Sequence, residues 1–244
     1  MAEALRVEGL TKRYGTFTAV DGVSFTMGEG EVVGLLGANG AGKSTLIKML
    51  CNLAHPTSGQ AWLAGESIMG TGATRHRRGL GALVEAPRFH QHLSGRRNLS
   101  LLARLHGFAD ARIDEVLAAV GLTERAGERF DRFSMGMKQR LGLAAVFMHH
   151  PRVIILDEPT NGLDPVGRAQ IHDLIEGLMK RYPASILLCS HDFDEVKRLC
   201  GRALVMDQGK VILDQTLRDP GGMAAVQRIF LDLAAARAAR QEIA

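Results

Sequence analysis

Gly37-Ala38-Asn39-Gly40-Ala41-Gly42-Lys43-Ser44-Thr45 follows directly on the apolar run 32–36 and sets glycines, a lysine and two hydroxyls in phosphate-binding spacing. Gly37, Gly40 and Gly42 carry no Cβ, so the loop around Asn39 can curl and aim successive backbone N–H groups at an anion. The start of the next helix adds its dipole. Lys43 supplies a point charge for β- and γ-phosphates, Ser44 a hydroxyl for Mg²⁺, and Thr45 a donor for the α-phosphate. A chance glycine-rich turn ending in Lys-Ser is the alternative. The strand before the loop and the helix after it favour a nucleoside triphosphate site with Mg²⁺.

The second chemical element is Val153-Ile154-Ile155-Leu156-Asp157-Glu158, four apolar residues followed by two carboxylates. Such a run reads as a buried central strand whose acids emerge at the C-terminal end, where open α/β sheets bind ligands. In P-loop enzymes an aspartate here organises the Mg²⁺ shell, and the neighbouring glutamate polarises water for attack on the γ-phosphate. Asp157 and Glu158 are the candidates for those roles. Two solvated acids at a strand end would look the same without the phosphate loop upstream.

Positioning these groups requires a sheet. Strand-like runs at 5–10, 20–27 and 31–36, separated by Gly28-Glu29-Gly30, predict an antiparallel β portion leading into the loop strand. Helices are expected at 43–52, 96–106, 111–120, 137–149 and 166–180 from apolar spacings of three and four, and short strands at 60–64 and 80–84. Runs at 153–156, 185–189 and 203–206 read as buried parallel strands. The fold class is therefore α/β, a P-loop NTPase core with a mostly parallel sheet, an N-terminal antiparallel β portion and a helical insert. Residues 1–220 read as one domain with the helical part at about 86–150, and the Ala- and Arg-rich stretch 221–244 as a C-terminal helical extension.

Composition narrows the class. In 244 residues no apolar run approaches the roughly 18 that spanning requires, and the opening Met1-Ala2-Glu3-Ala4-Leu5-Arg6 lacks a secretory pattern. The expectation is a chain that remains in the cytosol. Cys51, Cys189 and Cys200 are odd in number and widely spaced, which suits reduced thiols. The net charge of +4 comes from scattered basic residues such as Arg75-His76-Arg77-Arg78 and Arg96-Arg97 without interleaved aromatics, so no nucleic acid partner is expected. His90, His92, His149 and His150 lack acidic or cysteine partners at metal-binding spacing and read as surface residues.

Three further segments carry a resemblance: Phe133-Ser134-Met135-Gly136-Met137-Lys138-Gln139-Arg140 ahead of the carboxylate strand, Pro159-Thr160-Asn161-Gly162-Leu163-Asp164 after it, and His191 ending the next strand. The sequence resembles the ATP-binding subunit of an ABC transporter, from Tyr14 to a β-hairpin around Gly209. The resemblance implies two such subunits, as a homodimer or a heterodimer, closing head-to-tail on two nucleotides, each bound at a composite site. It implies that Ser134 and the backbone of Gly136 reach the γ-phosphate held by the opposite subunit, that Asp164 sits on the dimer seam, that His191 contacts the γ-phosphate, and that Tyr14 stacks on adenine. Taken singly, Tyr14 could pack beside a strand, Ser134 could merely cap a helix, and His191 could be a satisfied core histidine.

Two departures from the commonest family pattern matter. The signature reads Phe-Ser-Met-Gly-Met rather than Leu-Ser-Gly-Gly-Gln, which keeps the serine and second glycine and loses the glutamine. Glu85, in Leu83-Val84-Glu85-Ala86-Pro87, stands where the family usually has a glutamine that touches Mg²⁺ and the attacking water. A carboxylate there would bind Mg²⁺ more strongly; an exposed loop acid of no consequence is the alternative. Together these features look like the subgroup serving bacitracin and lantibiotic self-protection and multidrug export. The implied partner is an integral membrane permease, contacted through about residues 86–98 with Phe89 and Leu93 as apolar contacts, which would hold the subunit peripherally at the cytoplasmic face of the membrane. Phe89 packing internally is the competing reading. A soluble ABC-type ATPase acting on ribosomes or nucleic acid is the alternative function, but those types carry a second module or a long insert that this length does not accommodate.

Overall fold

The computed structural model of the protein describes residues 2–69, 79–85 and 87–241, with the side chains of 234 and 237–241 left aside. The basic cluster Arg75-His76-Arg77-Arg78, Met1, Ala86 and residues 242–244 lie outside the described residues.

Strands β1 (Glu3–Tyr14) and β2 (Phe17–Gly28) form an antiparallel hairpin whose tip pairs Tyr14 with Phe17. Strand β4 (Ser58–Leu63) adds to the other edge of β1, and β5 (Glu66–Ser67) follows it, giving the order β2-β1-β4-β5. The antiparallel portion thus recruits chain from beyond the phosphate loop, which local alternation at 60–64 could not reveal. The second sheet holds β3 (Val32–Leu36), β6 (Leu80–Leu83), β7 (Val153–Asp157), β8 (Ser185–Ser190), β9 (Arg202–Asp207) and β10 (Lys210–Thr216) in the order β10-β9-β3-β8-β7-β6. All neighbours are parallel except β10, which returns antiparallel along β9. With β8 lying between β3 and β7, the turns after these three strands open at one edge of the sheet.

Alternation along the strands decides which side chains face which layer. Val153 and Ile155 of β7 and Leu187 and Cys189 of β8 join one core with Leu46, Ile47 and Leu50 of α1 (Lys43–Leu50) and the inner face of the antiparallel sheet. Ile154, Leu156, Ile186 and Leu188 point the other way, into a core shared with α2 (Gly95–His106), α3 (Asp110–Ala119), α4 (Met135–Phe147) and α5 (Pro165–Arg181). By the same period of two, Asp157 falls on the α1 face of the sheet.

Helix ends are closed by side chains. Ser94 accepts from Arg97 N at 3.2 Å, Ser134 from Met137 N at 3.3 Å and Asp164 from Gly167 N at 3.0 Å. The last carbonyls of α4 receive Arg112 of α3, whose Nη2 donates to Phe147 O at 2.7 Å and Nε to Met148 O at 3.1 Å. Helix α4 begins two residues earlier than its apolar periodicity predicts because Ser134 caps it. Helix α6 (Phe193–Leu199) was invisible to periodicity, being only seven residues long. Helix α7 (Gly222–Gln241) lays Val226, Ile229, Phe230 and Leu233 on a third, smaller core with Phe193, Val196 and Leu213.

Candidate functional site

The residues after β3 turn through a loop that only glycine can make at two points. A Cβ on Gly37 would stand 2.5 Å from Met206 O, and one on Gly42, at φ +105°, would collide with Ala19 O. The close approach to β9 and β2 holds the loop while α1 starts directly at Lys43. Lys43 is 6 % exposed, and its Nζ donates to Gly37 O at 2.5 Å and Ala38 O at 3.3 Å, so the ammonium curls back over the loop. Asn39, Gly40, Gly42, Lys43, Ser44 and Thr45 line one wall of a cleft of about 750 Å³.

Asp157, Glu158, His191 and Glu85 line the same cleft. Asp157 is 5 % exposed. Burial raises its carboxyl above the usual range, while the Cys189 thiol beside it and the Lys43 charge pull the other way. Cys189 is the register partner of Asp157 across β7 and β8 and shares its face, which explains a contact that cysteine spacing could not suggest. Burial pushes the Cys189 thiol well above its ordinary value and the Cys51 thiol up to about 12, which disfavours the thiolate at both.

Glu158 leaves the strand with φ +51°, an uncommon conformation for a side chain with a Cβ. The bend is held by Glu158 N donating to Cys189 O at 2.9 Å and Asn161 N donating to Glu158 O at 3.0 Å. It delivers the carboxylate to His191, whose Nδ1 lies 2.6 Å from Glu158 Oε2. Burial raises the Glu158 carboxyl above the usual range, and the imidazole opposes that shift. His191 is 54 % exposed on its side chain, which rules out a satisfied core histidine. Glu85 also has positive φ, +60°, and its carboxylate pairs with Lys48 Nζ at 3.2 Å and Arg88 Nη2 at 3.6 Å.

Ser134, Gly136, Asp164 and Tyr14 are not among the residues lining this cleft. Ser134 caps α4, Asp164 caps α5, and a Cβ on Gly136 would meet no atom within 4 Å. Tyr14 lies across the hairpin tip with Lys12 Nζ 5.0 Å from its ring, whereas its partner Phe17 lines the cleft. As cross-strand partners the two rings share a face at the hairpin tip, and of the two Phe17 lines the cleft. Phe89 is half-buried, its ring packing edge-on against Phe130 at 5.3 Å beside the helical core. His149 corrects an expectation, since it is partly buried against His106 at 4.2 Å, and burial lowers its pKa to about 4, helped by His106 and Arg112. Met135 and Gln139 of α4 line the cleft and were not foreseen in that place.

Comparison with known proteins gives this geometry its family. Residues 20–161, more than half of the chain, match the ABC transporter family. The chain is 40% identical over 222 residues to an uncharacterised ABC transporter ATP-binding protein, YhcH, of Bacillus subtilis, covering 90% of this chain and 72% of that one. It is 40% identical over 213 residues to the bacitracin transport ATP-binding protein BcrA of Bacillus licheniformis, covering 87% and 69%. Among solved structures, cbiO1 of Clostridium perfringens, part of the ABC transporter complex cbiONQ, superposes with a TM-score of 0.81 at 30% identity over 93% of this chain and 92% of that one. The chain belongs to the ABC transporter family, as one of its ATP-binding, ATP-hydrolysing subunits.

Proposed function

We propose that this subunit hydrolyses ATP at the cleft between the phosphate loop and Glu158 to power export of a drug or antimicrobial peptide through a separate membrane permease. The observation that carries the catalytic part is the bent Glu158 held 2.6 Å from His191 in the cleft that Lys43 also lines. Phosphates lie against the N–H groups of 37–45 with Lys43 on the β- and γ-oxygens, and Glu158 takes a proton from the attacking water while His191 holds the γ-phosphate side. Ser44, Asp157 and Glu85 fit a Mg²⁺ ion. The buried Asp157 carboxylate gains from a cation, and since no three His, Cys, Asp or Glu side chains cluster among the described residues, such an ion would lean on phosphate oxygens and water. A Mg²⁺ held there would supply positive charge to the phosphates. Exchange of Glu158 for Gln keeps the shape and removes the base, so turnover should fall by about a hundredfold or more while ATP binding persists. Hydrolysis at the normal rate in that variant would remove Glu158 from its role.

Two subunits close head-to-tail in this reading, and Ser134 and Gly136 of each reach the nucleotide on the other. The open face of Gly136 supports close approach, and the Ser134 hydroxyl, which accepts from Met137 N, still has its own O–H to donate. ATP touches both subunits only in the closed pair, so binding favours closure and loss of the γ-phosphate releases it. Residues 1–220 form the cassette with a helical part at about 86–150, and 221–244 an extension. The described part of the docking segment, 87–98, hangs on Asn98, a buried amide that accepts from His90 N at 2.8 Å and donates to His90 O at 3.1 Å and Ser94 O at 3.1 Å. Asn98→Ala should therefore lower permease-stimulated ATPase and transport while basal hydrolysis by the free subunit survives; equal loss of both would count against the docking assignment. No helix among the described residues is long and apolar enough to cross a membrane, in keeping with a peripheral subunit held by its permease. The identity to a bacitracin transport protein supports the cargo class.

A further inference from the structure

Outside the residues that line the cleft lies a buried polar cluster. Glu195 of α6 is 1 % exposed. Its Oε1 accepts from Thr160 Oγ1 at 3.0 Å and lies 3.0 Å from His172 Nε2 of α5. Thr160 is itself 7 % exposed, and the His172 side chain 12 %. Glu195 Oε2 is buried without a hydrogen-bond partner among the described residues. An apolar side chain of similar volume would fill this space without desolvating a carboxylate, so the arrangement is a poor choice for packing alone.

Its value lies in what the three residues join. Thr160 stands two positions after Glu158 and four before Asp164; His172 belongs to the helix Asp164 caps; Glu195 stands four positions after His191 on the helix that follows it. A second link runs parallel: Arg168 Nε donates to Leu163 O at 3.0 Å and its Nη1 lies 3.7 Å from Asp192 Oδ2. We propose that Glu195, through Thr160 and His172, is a positioning residue that locks the segment 158–164 to the helix behind His191 and so sets the spacing between catalytic carboxylate and imidazole. This rests on the assignment of Glu158 as base. With Glu195 ionised, Thr160 and His172 must both donate to it. Moving either neighbour displaces Glu158, and small misplacements of a reacting group cost rate rather than binding.

The test compares purified full-length variants. Thr160→Val and Glu195→Met remove the donor and the acceptor with little change of volume; Thr160→Ser and Glu195→Gln keep a hydroxyl and a carbonyl. Each disabling variant should lose about ten- to a hundredfold in kcat. KM and the equilibrium Kd for ATP should stay within about twofold, because only the transition state is affected. The double variant should be no worse than the worse single one, since both break one linkage. Thr160→Ser should recover most of kcat, a result that a purely structural loss would not give if thermal unfolding of the Val and Ser proteins is alike. The inference is overturned if Thr160→Val turns over normally, if KM and Kd shift along with kcat, or if the two disabling changes add. Should Glu195→Met not fold, Thr160→Val against Thr160→Ser decides alone. Glu158→Gln, assayed alongside, separates the two claims: full activity there defeats the base assignment, whereas an inactive Glu158→Gln with an unimpaired Thr160→Val defeats only this one.

Discussion

At the scale of the residue, the same few side chains serve as structure and as chemistry. Asp157 is buried, with its carboxyl raised, because strand parity turns it inward beside Cys189, and Glu158 reaches His191 because the backbone breaks parity immediately afterwards at φ +51°. The pair of acids was legible in the sequence; their opposite treatment was not, since nothing local marks a residue for the left-handed region. The aromatic at the cleft gives a prediction at this scale. Phe17, 63 % exposed, is the ring on the cleft wall, and Tyr14, 52 % exposed, stands beside it under Lys12. Removing a stacking ring forfeits about 0.5–1.5 kcal/mol. Phe17→Ala should accordingly weaken ATP binding several-fold in isothermal titration, with Tyr14→Ala the milder change. The reverse ranking would return the adenine platform to Tyr14.

Elements are held together by groups whose sequence positions share no motif. Glu115 of α3 binds Arg112 on its own helix and receives Tyr182 Oη at 2.7 Å and Arg181 Nη2 at 3.3 Å from the end of α5. These partners, Arg112 first and the Tyr182 hydroxyl next, lower its carboxyl to about 2. A depressed acid contributes stability that is present above its unfolded value and is lost as pH falls through the folded one. Glu115→Gln should thus destabilise the protein at pH 7, and the difference from the parent should shrink between about pH 4.5 and pH 2. Solvent at this partly exposed site limits the effect to about 1 kcal/mol. Urea unfolding at pH 7 and pH 3 measures it, and a constant difference across that interval would refute the assignment. Helix periodicity found α2 to α5 within a residue or two, because apolar spacing is a local property. Long-range pairs such as Glu115 with Tyr182 leave no such trace.

For the whole molecule, the two sheets and the layers between them place the candidate nucleotide cleft at one edge and the helical layer beside it. The C-terminal helix, which offered no motif, serves as packing support. Its Phe230 stacks near Phe193 at 6.5 Å between centroids and closes the small core under α6, the helix that follows His191. Phe230→Ala should cost about 2 kcal/mol of stability, seen as a lower unfolding midpoint. It should also slow turnover through α6 while leaving nucleotide affinity in place; an unchanged midpoint would show that α7 is dispensable. The relatives identified are transport ATP-binding proteins, which favours a permease partner over the soluble alternative.

By itself the sequence determined the phosphate loop, the carboxylate strand, the signature helix and their order, because each depends on residue type and spacing within a dozen positions. Tertiary structure alone decided that Phe17 faces the cleft, that Phe89 meets Phe130, that Cys189 meets Asp157, and that Thr160, His172 and Glu195 converge. Such meetings follow from sheet order and helix packing, which bring together residues whose separation along the chain carries no local signal.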